Sequence, residues 1–183
     1  IIKILFILGE INLFKKIIAL ITSFFIVEQV AVASQNDGDR ILLTTSKGEI
    51  IIKLLPDFAP KHVSRIKDLV NSGFYDGIIF HRIIPGFMAQ TGDPKGNGTG
   101  GSGKKLKAEF SDYKYINGTV GMARTMDPDS ADSQFFICFD GCGHLTGQYT
   151  AWGQVESGME TVEALNEGEP PLNPDKIISA KLK

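Results

Sequence analysis

The sequence predicts a mainly β fold, a closed eight-stranded antiparallel barrel capped at its ends by two α-helices. Three observations carry that expectation. Eight short runs rich in β-branched and aromatic residues recur through residues 41–183, separated by turns containing Gly, Pro, Asp and Asn. Only two stretches space their apolar residues three and four apart, as an amphipathic helix requires. The regular strand–helix alternation of parallel sheets is missing, so the strands must pair antiparallel, and closing such a sheet removes its adhesive edges.

Taken in order, residues 1–33 differ from everything that follows. Phe14-Lys15-Lys16 precedes an apolar run over residues 17–27, and Ala31-Val32-Ala33 comes after it. A positive start, an apolar stretch of this length and a small-residue ending are the parts of a secretory signal peptide, with the cut expected after Ala33 and translation expected to begin near Leu13. Glu28 interrupts the run and leaves it shorter than the roughly 20 residues that span a bilayer, so an uncleaved membrane anchor is the second reading. The expected location is the periplasm or the cell exterior, with no stable membrane partner after cleavage. Residues 34–40 read as a polar linker, and the folded domain is expected over residues 41–183.

Within that domain, residues 41–45 and 49–54 flank Ser46-Lys47-Gly48 and read as a hairpin. A helix begins at Pro60, carries Val63, Ile66 and Val70 on one face and stops at Gly73; its stripe should cover one opening of the sheet. Residues 77–84 and 86–91 are strands divided at Pro85-Gly86. The glycine-dense residues 92–105 come close to a phosphate-loop pattern, but Lys105 stands where a hydroxyl is needed and no helical stripe follows over residues 106–115. They read instead as a loop whose backbone packs close to something. Residues 117–123, 133–139 and 149–155 are further strands. Ser157-Gly158-Met159-Glu160 has capping-box form and opens a helix through Met159, Val162 and Leu165 that Gly168 ends. The last strand is residues 176–182. Alternation along residues 133–139 sends Phe135 and Ile137 to the interior and Gln134, Phe136 and Cys138 to the outer face.

Composition narrows the function. A hydrophobic share of 43% and a charged share of 22% are ordinary for one globular domain, and a net charge of −2 without basic clusters argues against nucleic acid as a partner. Cys138 and Cys142 are the only cysteines; two free thiols are the expected state, with a disulfide closing their short loop as the alternative. Cys138, Cys142 and His144 lack a fourth ligand at metal spacing, so neither metal nor other cofactor is expected. His62, His81 and His144 fit no Ser-His-Asp order, which leaves hydrolysis unsupported.

The chemistry concentrates in FHRIIPGFMAQTGDP, residues 80–94. Arg82 sits there among Ile83, Ile84, Phe87 and Met88, with the amide of Gln90 close behind. A guanidinium in an apolar run is either a surface residue on the polar face of a strand or a group that needs a partner or a ligand.

This stretch, with Asn97-Gly98-Thr99-Gly100-Gly101, Val120-Gly121-Met122-Ala123 and Ser133-Gln134-Phe135-Phe136-Ile137, resembles the cyclophilin family of peptidyl-prolyl cis-trans isomerases, in consistent order from about Ile41 onward. The resemblance implies a cyclophilin-like barrel that accelerates rotation about X-Pro bonds in folding proteins. It implies that Arg82 is the catalytic arginine and that Gln90 holds it. Phe87, Met88, Phe136 and Leu145 match the family's proline pocket, and Gly98, Ala123 and Gln134 line its groove. Arg124 and Thr125 stand where the family commonly has Asn-Ala, in a segment whose backbone pairs with peptide. His144 replaces a tryptophan of the cyclosporin-sensitive members and Tyr149 replaces a histidine, so weak cyclosporin binding is expected. The implied partners are proline-containing peptides and unfolded or nascent exported proteins, met by a monomer. The alternative is a proline-peptide-binding chaperone module with little turnover.

Overall fold

The computed structural model describes residues 38–183. The expected signal peptide and most of the expected linker lie outside the described residues. The domain begins slightly earlier than residue 41: Leu54 N donates to Asp39 O, and Arg40 opens the first strand.

Eight strands form one antiparallel sheet: β1 (Arg40–Thr45), β2 (Gly48–Leu54), β3 (Arg82–Ile84), β4 (Met88–Thr91), β5 (Thr119–Met122), β6 (Phe135–Cys138), β7 (Ala151–Ser157) and β8 (Ile177–Leu182). Their spatial order is β3-β4-β6-β5-β7-β2-β1-β8. The predicted hairpin of β1 and β2 forms, but its turn is Ser46-Lys47 alone: Gly48, expected in the turn, opens β2 opposite Thr45. Inward residues Ile41, Leu43, Ile50, Ile52, Phe135, Ile137 and Trp152 fill the interior, as period-two alternation requires.

The sheet curls without closing by strand pairing, which corrects the expectation of a closed barrel. Its edges, β3 and β8, meet only through connecting segments. Ile79 bridges Lys176 and Ile83 bridges Gly168, and residues 77–81, predicted as strand, are spent on that seam. Gly77 N and Phe80 N donate to Ile177 O and Asp175 O there, so their donors are satisfied without a full strand.

The first helix, α1 (Pro60–Asn71), buries Val63, Ile66, Leu69 and Val70 against the interior. The carboxylate of Glu109 accepts from Lys61 N and His62 N and so caps its first turn from a distant segment. The second, α2 (Met159–Glu163), lacks the predicted capping box: Ser157 belongs to β7, and Gly158 is the N-cap with φ +91° and no side-chain bond. A Cβ on Gly158 would lie 2.2 Å from Glu49 O, so close packing against β2 displaced the hydroxyl cap.

Candidate active site

Outer-face residues of β4, β6 and β7, with residues of the connecting segments, build a second apolar cluster, separate from the interior. Met88, Phe136, Cys138, Cys142, Leu145, Tyr115 and Ala151 are buried in it, with Phe87, Ala123 and Tyr149 packed against it. The hairpin of β3 and β4 turns at Pro85-Gly86, places Arg82 opposite Gln90, and delivers Phe87 and Met88 to the same surface. In the pairing of β4 with β6, Gln90 stands opposite Phe136. A phenylalanine on the outer face of β6 thus gains a wall instead of solvent.

Leu145 arrives on a 3-10 segment, Asp140–Leu145. Phe139 N donates to Phe87 O and Gly141 N to Gly86 O, tying this segment to the β3–β4 turn. Cys138 and Cys142 are joined in a disulfide with their Cα atoms 6.0 Å apart. Free thiols were the expectation. The curl of the 3-10 segment brings Cys142 back over the end of β6, and both sulfurs are buried where they meet.

Arg82, Phe87, Met88, Gln90, Ala123, Arg124, Phe136, Leu145 and Tyr149 line one cavity of about 280 Å3. Aromatic contacts fix its wall: Phe136 meets Tyr149 edge to face at 5.7 Å and stacks on Tyr115 at 6.0 Å. Burial pushes the Tyr115 phenol up, so it keeps its proton and adds no charge to this wall. Arg124 lies across the rim with its guanidinium 4.3 Å from the Tyr149 ring centroid. Its Nη1 and Nη2 donate to Thr125 O and Gln148 O, so the cation braces the rim.

A second cavity of about 500 Å3 adjoins the first and shares Gln90, Ala123 and Arg124 with it. Gly98, Thr125 and Gln134 line this neighbour, together with Lys105 and with Ser130 and Asp132, which no sequence motif marks. The glycine loop is held by Asp93, whose carboxylate accepts from Lys95 N, Asn97 N and Gly98 N. Burial pushes that carboxyl up, but these amides and that of Gly100 outweigh it and hold it below its ordinary value. A Cβ on Gly100 would fall 2.0 Å from Asp93 Oδ1, which is why the loop needs glycine at that point.

Two expected roles meet a different arrangement. Gln90 faces Arg82 in register, but its Nε2 donates to Gln134 Oε1, and Gln134 in turn donates to Gly98 O and Gly100 O. The amide pair therefore fastens the glycine loop to the sheet. Arg82 Nε donates instead to Glu169 Oε2 at 2.5 Å. Glu169 escaped the sequence reading, where Gly168 served only to end a helix. His144 lines neither cavity: it is exposed and stacks behind Phe87 at 5.6 Å.

Chemically, the first cavity combines an apolar wall with a permanent cation. Among the described residues, neither Nη of Arg82 has a hydrogen-bond partner. Such a site can take a small apolar ring and donate to a lone pair beside it.

Residues 40–182 match the family described as cyclophilin type peptidyl-prolyl cis-trans isomerase/CLD. A probable peptidyl-prolyl cis-trans isomerase of Brucella suis biovar 1 is 48% identical over 172 residues, covering 84% of this chain and 88% of the relative. A peptidyl-prolyl cis-trans isomerase of Synechococcus elongatus is 41% identical, covering 78% of this chain and 95% of that one. The crystal structure of a Cryptosporidium parvum cyclophilin-type isomerase, obtained in the presence of the dipeptide Ala-Pro, superposes with a TM-score of 0.73 at 30% identity, over 79% of this chain and 98% of the other. The chain therefore belongs to the cyclophilin-type peptidyl-prolyl cis-trans isomerases.

Proposed function

We propose that the chain isomerises X-Pro bonds at the cavity bordered by Arg82, with the prolyl ring held against Phe87, Met88, Phe136 and Leu145. Amide resonance imposes a barrier of roughly 18–20 kcal/mol on this rotation. In the twisted transition state the resonance is lost, and the prolyl nitrogen regains a lone pair that accepts a hydrogen bond. A guanidinium donor aimed at it binds the twisted state better than either planar state. The apolar wall keeps water from competing for that bond. No covalent step is needed.

The observation that carries this reading is the guanidinium with both Nη groups unspent at the edge of an apolar cavity. Proton NMR exchange on an Ala-Pro-containing peptide tests it. Arg82→Ala is expected to lower the catalysed rate by about 100-fold, the scale of losing one preorganised donor. Equal rates in the two proteins would refute the role. Peptide binding by the unaltered protein without detectable exchange would favour the chaperone reading.

The proposed substrates are proline-containing segments of exported proteins, met by a monomer in an oxidising compartment. Two features support the location: the signal-like residues 1–33 and the Cys138–Cys142 disulfide, a bond that persists outside reducing cytosol. Mass analysis of the exported protein should find Ser34 at its N-terminus, and a mature chain that retains residues 13–33 would sink the proposal. Cyclosporin binding is proposed to be weak because the exposed His144 offers neither an indole donor nor its apolar face. His144→Trp should tighten it by about tenfold in an inhibition titration, and nanomolar inhibition of the unaltered protein would contradict the proposal.

A further inference from the structure

The outer edge of β3 is paired across the seam of the sheet. Ile83 N donates to Gly168 O at 2.8 Å and Gly168 N donates to Ile83 O at 3.1 Å. This two-way exchange makes them an antiparallel pair. The residue before Ile83 then lies opposite the residue after Gly168, so Arg82 has Glu169 as its cross-strand neighbour on one side and Gln90 on the other. Gln90 is engaged with Gln134, whereas Glu169 accepts the Arg82 Nε–H at 2.5 Å.

We propose that Glu169 is a positioning residue for Arg82, a role that rests on Arg82 being the catalytic donor. An arginine side chain turns about several bonds, and a donor that wanders cannot be aimed at a nitrogen in transit. By taking Nε–H, the carboxylate fixes the plane of the guanidinium and leaves both Nη groups for the cavity. The two side chains are 38% and 53% exposed, so the ion pair adds little to folding stability. Its contribution belongs to the reaction. Ground-state peptide is held mainly by the apolar wall, which Glu169 does not line.

The test uses the full chain, an Ala-Pro-containing tetrapeptide, and four variants: Glu169→Gln, Glu169→Asp, Arg82→Ala and the double change Arg82→Ala with Glu169→Gln. Glu169→Gln is expected to lower kcat by about tenfold while KM moves by less than about twofold. The 15N signal of Arg82 Nε should lose its exchange protection in that variant, and Glu169→Asp should restore part of both. In the Arg82→Ala background the Glu169 change should have no further effect. Unchanged kcat in Glu169→Gln, or an equal loss in the Arg82→Ala background, overturns the positioning role while leaving Arg82 as the donor. If Arg82→Ala retains the full rate, the Arg82 assignment itself falls and takes the positioning role with it.

Discussion

Arg82 shows how far a single residue can be read. Its chemistry, a fixed cation in an apolar run, is legible in FHRIIPGFMAQTGDP, and the family resemblance supplied its target. Its partner was not legible, because Glu169 lies 87 residues away and meets it only across the seam. Its neighbour His81 raises a different matter. The ring is buried, and among the described residues neither of its nitrogens has a hydrogen-bond partner. Burial, with help from the adjacent Arg82 and against the pull of Asp93, holds its pKa below the ordinary value. The folded state then binds fewer protons than the unfolded state, so this contribution is complete above the unfolded value of about 6.5 and is lost as pH falls below it. Urea unfolding should show stability declining between about pH 7 and pH 5. His81→Phe should flatten that slope only in part, since burial also lowers the pKa of His62. An identical slope in the variant would rule out His81 as a cause.

Among the elements, the 3-10 segment Asp140–Leu145 does most to finish the site. It carries Leu145 into the cavity wall, and two backbone bonds tie its start to the β3–β4 turn. The disulfide closes a loop with a sequence separation of four. Closing so short a loop removes little entropy from the unfolded chain, so reduction should lower unfolding free energy by only about 2 kcal/mol. Denaturation with and without reductant measures this, and a thiol-alkylating reagent should label Cys138 and Cys142 only after reduction. Labelling of the oxidised protein would count against the bond. Sequence spacing could not choose between thiols and disulfide, because Cα separation at four residues depends on whether the chain extends or curls. The α2 cap has the same cause: Ser157 and Glu160 have the right spacing, but the close approach of β2 decided the N-cap.

At the scale of the molecule, one face of the curled sheet fills the interior and the other carries the second apolar cluster beside the cavity proposed as the site. The buried interior cluster and both cavities are built from residues of 38–183, and the family match covers 40–182. A protein starting at Gly38 should therefore unfold cooperatively and isomerise peptide with the kcat/KM of the longer chain. A non-cooperative melt or a rate lower by more than about tenfold would show that residues 1–37 contribute to the domain. By itself the sequence determined the eight strands, the two helices, the inward and outward faces of residues 133–139, and the family. Each of these rests on local periodicity, turn chemistry or short motifs, which act within a few residues. Only the tertiary structure decided how the sheet's edges meet, that Gln90 binds Gln134, that Glu169 holds Arg82, and that His144 stays outside the cavity. Those outcomes depend on which distant segments share an edge or a face, and register across a curled sheet brings together residues whose spacing along the chain carries no trace of the meeting.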